Sequence, residues 1–264
     1  MLTGVGISKK LKNYVELYAN YSQNYRSVTF ADISTVNPAY AIDPEISDEK
    51  GYTIDLGLRG NHDNFFSFDA NIFHLAYNNR IGFVQRLFDD GNVKAYRTNT
   101  GDANTYGLES LVDINLKKLF GLNSTYIFNT FLNLSIIESE YIKSEEPGVE
   151  GKEVEFVPKY NIKYGIKFGY KNFTSYLQYS YLASQFSDSS NSVESNLSGV
   201  IGQIPAYEIL DFSMNYKLGK IKLETGVNNI LDKSYFTRRA TGYPGPGIIP
   251  SPPRNYYFTL QYKF

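Results

Sequence analysis

The chain has 264 residues, with no Cys, no Trp, 24 Tyr and 18 Phe, and its net charge is −1. With no Cys and only His62 and His74, it offers no thiolate zinc site, iron–sulfur cluster or cysteine nucleophile, and its near-neutral balance gives no basic field for nucleic acid. No run of about 18 apolar residues exists to make a transmembrane helix, yet aromatics reach 16 %.

Period-2 alternation runs from one end of the chain to the other and predicts strands throughout. The opening Met-Leu-Thr-Gly-Val-Gly lacks the charged-then-apolar layout of a signal peptide and reads as mid-strand. Strands are predicted at 1–7 and 11–22, with a short turn at Ser8–Lys10 and then a long connection, Gln23–Ser47. In 49–59, Tyr52, Ile54, Leu56 and Leu58 oppose Thr53, Asp55, Gly57 and Arg59. A short turn at Gly60–Asn64 contains His62, and the strand 65–86 carries His74 at mid-length. The long connection Leu87–Val93 leads to 94–116, where Tyr106, Leu108, Val112, Ile114 and Leu116 oppose Thr105, Gly107, Glu109, Asp113 and Asn115.

A short turn at Lys117–Gly121, a strand at 124–137 and the long connection Ile137–Glu155 follow. In 156–170, Ile162, Tyr164, Ile166, Phe168 and Tyr170 share one parity against Lys163, Gly165, Lys167 and Gly169. The turn Lys171–Asn172, the strand 173–186 and the long connection Ser187–Ile204 come next, with Ser187–Ser198 reading as a mobile loop tip. Strands at 205–218 and 221–230 flank the turn Gly219–Lys220, and Ile230–Pro253 leads to the last strand, 254–264.

Segments of about ten residues, tilted near 45°, span a bilayer core. Gly57, Gly107, Gly165, Gly169 and Gly226 all fall on the polar parity, where a lumen or close backbone approach tolerates them. Short turns alternating with long connections are the mark of an outer-membrane barrel, with turns on one side and loops on the other. The predicted fold is therefore all-β: an antiparallel transmembrane β-barrel of outer-membrane type. Tyr52, Ile54, Leu56, Leu58, Ile162, Ile166, Phe168, Phe258 and Leu260 are expected to face lipid. Eleven strands is an odd count, whereas bacterial single-chain barrels are even, and the first and last strands would meet in parallel. The chain thus reads as an open part of a larger barrel. Its last strand places Tyr256, Phe258, Leu260, Tyr262 and Phe264 on one parity, the form that the barrel assembly machinery of Gram-negative bacteria reads as an insertion signal.

Asn228-Asn229-Ile230-Leu231-Asp232-Lys233-Ser234-Tyr235 resembles the block near the C-terminus of TonB-dependent outer-membrane receptors. The stretch from Phe236 to Pro250, with Tyr243-Pro244-Gly245-Pro246-Gly247 inside it, is similar to the last extracellular loop of receptors of the ferric dicitrate type. Ile204-Pro205-Ala206-Tyr207 with Leu210-Asp211, Tyr18 through Arg26, Asn99 through Ala103 and Gly107-Leu108-Glu109 also resemble this family. The resemblance implies a barrel of about 22 strands around a plug. Residues 1–264 would be its C-terminal part, with the plug and the N-terminal barrel half absent. It further implies uptake of a ferric siderophore or citrate chelate across the Gram-negative outer membrane, with TonB engaged only through the missing plug. Lipid and lipopolysaccharide would surround the wall, and no cofactor or nucleic acid is expected.

An iron–citrate chelate is anionic and carboxylate-rich, and a guanidinium presents paired donors that suit carboxylates. Arg238 and Arg239, at the start of the last loop, are the first candidate ligand contacts, and Arg86 and Arg97, beside another loop, are the second. The Tyr243–Gly247 stretch reads as a rigid loop. Arg59 reads instead as part of a plug contact or a strand ion pair. Glu138, Glu140, Glu145, Glu146, Glu150, Glu153 and Glu155 make one loop acidic and read as solvated. Neither His62, in the turn Asn61-His62-Asp63-Asn64, nor His74 has a convincing partner for a catalytic constellation, so no enzyme is expected. Two other classes stay open at this level: a self-contained small barrel for binding or adhesion, and an outer-membrane hydrolase.

Overall fold

The computed structural model describes residues 1–34, 40–63, 65–240 and 247–264. Its elements in chain order are β1 (Gly4–Lys12), β2 (Val15–Arg26), α1 (Phe30–Ile33), β3 (Tyr40–Ile42), β4 (Glu49–His62), β5 (Phe66–Leu87), β6 (Val93–Ile114) and α2 (Leu116–Leu119). There follow β7 (Tyr126–Lys143), β8 (Tyr160–Tyr170), β9 (Phe173–Leu182), β10 (Tyr207–Leu218), β11 (Ile221–Asn228), β12 (Phe236–Ala240), β13 (Gly247–Pro250) and β14 (Asn255–Tyr262). One sheet runs β1-β2-β4-β5-β6-β7-β8-β9-β10-β11-β14, with β3 attached to β6, and β12 and β13 form a hairpin of their own. Every pair along the meander is antiparallel, while β3 on β6 is parallel. Among the described residues β1 and β14 do not pair, so the sheet is open.

The eleven meander strands are those that the alternation predicts, in the same order. Their ends differ where local pattern gives no stop signal. The first turn lies at Asn13–Tyr14 and not at Ser8–Lys10, which sit inside β1. Leu87–Val93 is not a long loop, because β5 and β6 are each 22 residues and only 88–92 join them. A membrane crossing takes about 9–11 residues, so half of this hairpin stands clear of the spanning band. Glu138 and Glu140 belong to β7 and not to a loop. Ser187–Ser198 is not a free tip at its near end, since Asp188 and Ser189 are buried.

Register sorts the side chains into rows. Ala19, Leu56, Ile72, Leu108, Ile136 and Tyr160 lie side by side across six strands. The neighbouring row, one residue along each strand, is Tyr18, Gly57, Asn71, Glu109, Ser135 and Asn161. Because successive side chains leave a strand on opposite faces, one face of the wall is apolar and the other polar. The apolar face has no protein cover: Leu56 is 46 % exposed, Ile72 54 % and Phe258 69 %. The buried apolar cluster lies elsewhere, in the overhanging part, where Val84, Tyr96, Ala103, Tyr141, Val149 and Val154 pack together.

The polar-face glycines have a cause that composition does not reveal. Tyr18 lies across Gly57, Phe131 across Gly165 and Tyr257 across Gly226, each pair in register on neighbouring strands. A Cβ on Gly165 would sit 2.2 Å from Phe131 Cε1. Each glycine is the seat of an aromatic ring, which covers the bare backbone beside it.

Candidate functional site

The connections at one end of the sheet, 27–48, 144–159, 183–206 and 229–254, together with the overhanging β5–β6 hairpin, are tied to one another by charged side chains. Connection 27–48 is held by Asp32, which is 1 % exposed. Its Oδ1 takes a bond from Arg26 Nη2 at 2.8 Å and another from Arg97 Nη2. Its Oδ2 accepts from the Thr29 amide at 2.9 Å and the Thr29 hydroxyl at 2.7 Å. Burial alone pushes this carboxyl up, but the Thr29 donors and the Arg97 guanidinium outweigh it and hold Asp32 well below the usual carboxylate range. Arg26 Nη1 also reaches Glu49 Oε1 at 2.8 Å, and Glu49 accepts from the Ile81 amide at 2.6 Å.

A second network joins β5, β6, β7 and connection 144–159. Arg80 donates to Glu155 and, at 2.8 Å, to the Tyr141 hydroxyl, which donates to the other Glu155 oxygen at 2.8 Å. The Thr100 hydroxyl bonds both the Arg80 carbonyl and Tyr141. Arg86 pairs with Glu146 and lies 3.8 Å over the Tyr96 ring. Glu146 and Glu155 therefore do not stay solvated as the acidic run suggested. A cavity of about 410 Å³, lined by Asp43, Arg86, Asn99, Lys143, Glu145 and Glu146 among others, opens beside this network.

Connection 183–206 is fastened in turn. The Glu153 amide donates to Asn191 Oδ1 at 2.7 Å, and Asn191 Nδ2 returns a bond to the Glu153 carbonyl at 2.8 Å. The Ser189 hydroxyl donates to the Phe83 carbonyl at 3.1 Å. Arg239 then reaches the same connection from β12: Nη1 donates to Ser195 Oγ at 2.6 Å and to the Gly199 carbonyl at 2.8 Å. Its Nη2 donates to the Gln203 carbonyl at 2.8 Å.

The base of 229–254 is a built corner. Asn229, buried and at φ 53°, exchanges bonds with Lys233 in both directions, and its amide donates to Asp211 Oδ1 at 2.8 Å. Asn tolerates the left-handed region and closes such turns with its side chain. Asp211 thereby ties β10 to the Asn228–Tyr235 block. Arg254 Nε donates to the Ile230 carbonyl at 3.0 Å, and the Arg254 amide to Asp232 at 3.1 Å.

The four arginines singled out from sequence thus differ in state. Arg86 and Arg97 hold carboxylates, and Arg239 spends its Nη donors on a neighbouring loop. Arg238 is exposed and bonds no described residue. The Tyr243–Pro246 part of the Pro-Gly stretch lies outside the described residues. Arg59 sits over the Tyr18 ring and bonds Glu16 Oε2 at 3.0 Å, the strand ion pair that its position suggested. Tyr256, Phe258, Leu260 and Tyr262 share the apolar face of β14, and all are more than half exposed. Asp32, Glu49, Arg80 and Tyr141 were missed by the sequence reading. For Arg80 the available signal was strand length, because it lies well past the 9–11 residues that cross a membrane in the 22-residue β5; Asp32 and Glu49 carried no such signal. Among the described residues no cluster of metal-ligating side chains occurs, and no helix is long and apolar enough to cross a membrane.

Comparison with solved structures shows the same architecture. The chain matches the ferric citrate transporter FecA in its unliganded form at a TM-score of 0.79 and 24 % identity, over 100 % of this chain and 38 % of that one. It matches the ferric yersiniabactin uptake receptor FyuA from Yersinia pestis at 0.74 and 17 %, over 99 % of this chain and 37 % of that one. The copper transporter OprC matches at 0.72 and 17 %, over 99 % and 39 % respectively. The chain therefore spans well under half the length of these proteins. The family described as TonB dependent receptor-like, beta-barrel matches residues 4–230. That match covers most of the 264 residues and follows the meander from β1 to the end of β11, so the chain belongs to the TonB-dependent receptor-like β-barrel family of outer-membrane proteins.

Proposed function

We propose that this chain is the C-terminal part of the barrel of a TonB-dependent receptor that imports a ferric chelate, with ferric citrate the first choice. It supplies wall and extracellular loops, while the plug and its TonB contact lie in the rest of the receptor. The family match carries the receptor reading. Likeness to a protein named as a ferric citrate transporter supports the chelate, as does a loop end bearing Arg238 with no described partner. In this reading Arg238 contacts the anionic chelate directly, and Arg86, Arg97 and Arg239 shape the cup in which it sits. The apolar face of the wall meets lipid and lipopolysaccharide. The closing strand, from Tyr256 to Phe264, is read by the barrel assembly machinery.

The test is uptake of radiolabelled iron as ferric citrate by iron-starved cells that carry the complete receptor. Arg238→Ala is expected to weaken binding by about 1.5–3 kcal/mol, the worth of a charge-assisted bond, and more at low ionic strength. Equal uptake with and without the receptor gene would reject the chelate.

A further inference from the structure

Arg239 and Arg238 are neighbours on β12, so their side chains leave the strand on opposite sides. The Arg239 guanidinium is taken up by connection 183–206, with three bonds of 2.6–2.8 Å to Ser195, Gly199 and Gln203. Two of the acceptors are backbone carbonyls, which a guanidinium's fixed fork can hold at once. The ring of Phe236 lies 5.2 Å from its centre on the same strand, and its Nε is buried without a described partner. Backbone also meets backbone here. Gly199, at φ +70°, is so close to β13 that a Cβ would lie 3.2 Å from the Gly247 Cα, and a Cβ on Gly202 would lie 3.1 Å from Arg239 Nη2. Connection 183–206 is itself pinned at Asn191 and Ser189. The β12–β13 hairpin therefore takes its position from that connection, through the Arg239 side chain and the close Gly199–Gly247 backbone approach.

We propose that Arg239 is a positioning residue for ligand capture: it clamps the β12–β13 hairpin onto connection 183–206 and so holds Arg238 outward at the mouth. The clamp makes the two connections a single body. The effect on ligand rests on the reading of Arg238 as the chelate contact, whereas the clamp does not.

The described chain lacks Cys, so the test places spin labels at Leu197→Cys and Ile248→Cys in the complete receptor freed of any other Cys, and reads the distance between them. Both positions are exposed; Ile248 is Arg239's partner across the β12–β13 ladder, but neither side chain is among the groups that hold the guanidinium. With Arg239 present, one narrow distance is expected. Arg239→Ala should broaden it, Ser195→Ala should broaden it less, and Arg239→Lys should restore part of the narrow population. Ferric citrate affinity should fall about tenfold in Arg239→Ala, the loss of one charge-assisted interaction. Adding Arg238→Ala to that variant should then cost little more, because residues that act as a unit are not additive. A distance that stays narrow in Arg239→Ala overturns the clamp. Full additivity of the two substitutions overturns the positioning role. If the unaltered receptor does not bind ferric citrate, the chelate reading falls, and the distances still decide the clamp.

Discussion

Asp32 shows how much one side chain can carry in a loop that has little core of its own. It joins α1 to β2 and β6 through Arg26 and Arg97, and β3 reaches its parallel place on β6 from the same connection. Its folded-state pKa lies below the unfolded one, so its contribution is complete above about pH 4 and fades as pH falls towards the folded value. Asp32→Asn leaves two guanidiniums short of charge. Breaking a buried pair costs about 3–5 kcal/mol, and since Arg26 is 41 % exposed and Arg97 19 %, the cost is expected near the bottom of that range. Amide exchange at Tyr40–Ile42 should accelerate in the variant at neutral pH, and in the unaltered protein only in strong acid. Unchanged exchange would mean that β3 is held by its own ladder. None of this was legible beforehand, because Asp32 and Arg97 stand 65 positions apart.

A strand of this sheet is defined by its two rows more than by its ends. Ile166 on β8 has Thr130 of β7 and Leu177 of β9 beside it, all on the apolar face. An Arg there has no carboxylate beside it in the row to pair with and must be desolvated. Ile166→Arg is expected to cost about 2–4 kcal/mol if the site lies near the bilayer midplane. Denaturant unfolding of the complete receptor in lipid vesicles measures it, and a cost near zero would place the apolar face away from lipid. Strand identity was readable from alternation, because period 2 is a local property. The strand ends were not. Ser8–Lys10 carries turn-like residues, yet β1 runs through it because β2 offers a continuous ladder from Glu16 to Tyr18 opposite.

For the whole molecule the governing fact is that the sheet is open. In hydrocarbon each unpaired backbone group costs several kcal/mol, and the outer edges of β1 and β14 present rows of them. Residues 1–264 expressed alone with an export signal should therefore give no heat-resistant monomer and no pore, as read by gel mobility and single-channel conductance. A stable, conducting monomer would instead favour a self-contained barrel. The overhanging β5–β6 hairpin and the loops braced to it hold the buried core, so loss of that core should unfold the mouth before the wall.

The sequence by itself determined the fold class, the number and order of the wall strands and the side of the sheet each residue takes. All of these follow from alternation between neighbours and from the alternating lengths of the connections. Only the tertiary structure decided the state of the arginines. Whether a guanidinium lacks a partner among the described residues, as at Arg238, or is occupied, as at Arg86, Arg97 and Arg239, depends on carboxylates and carbonyls brought up from tens of residues away. The same holds for the glycines. Their parity was visible in the chain, but the rings seated on Gly57, Gly165 and Gly226 come from neighbouring strands, and register alone brings each pair together.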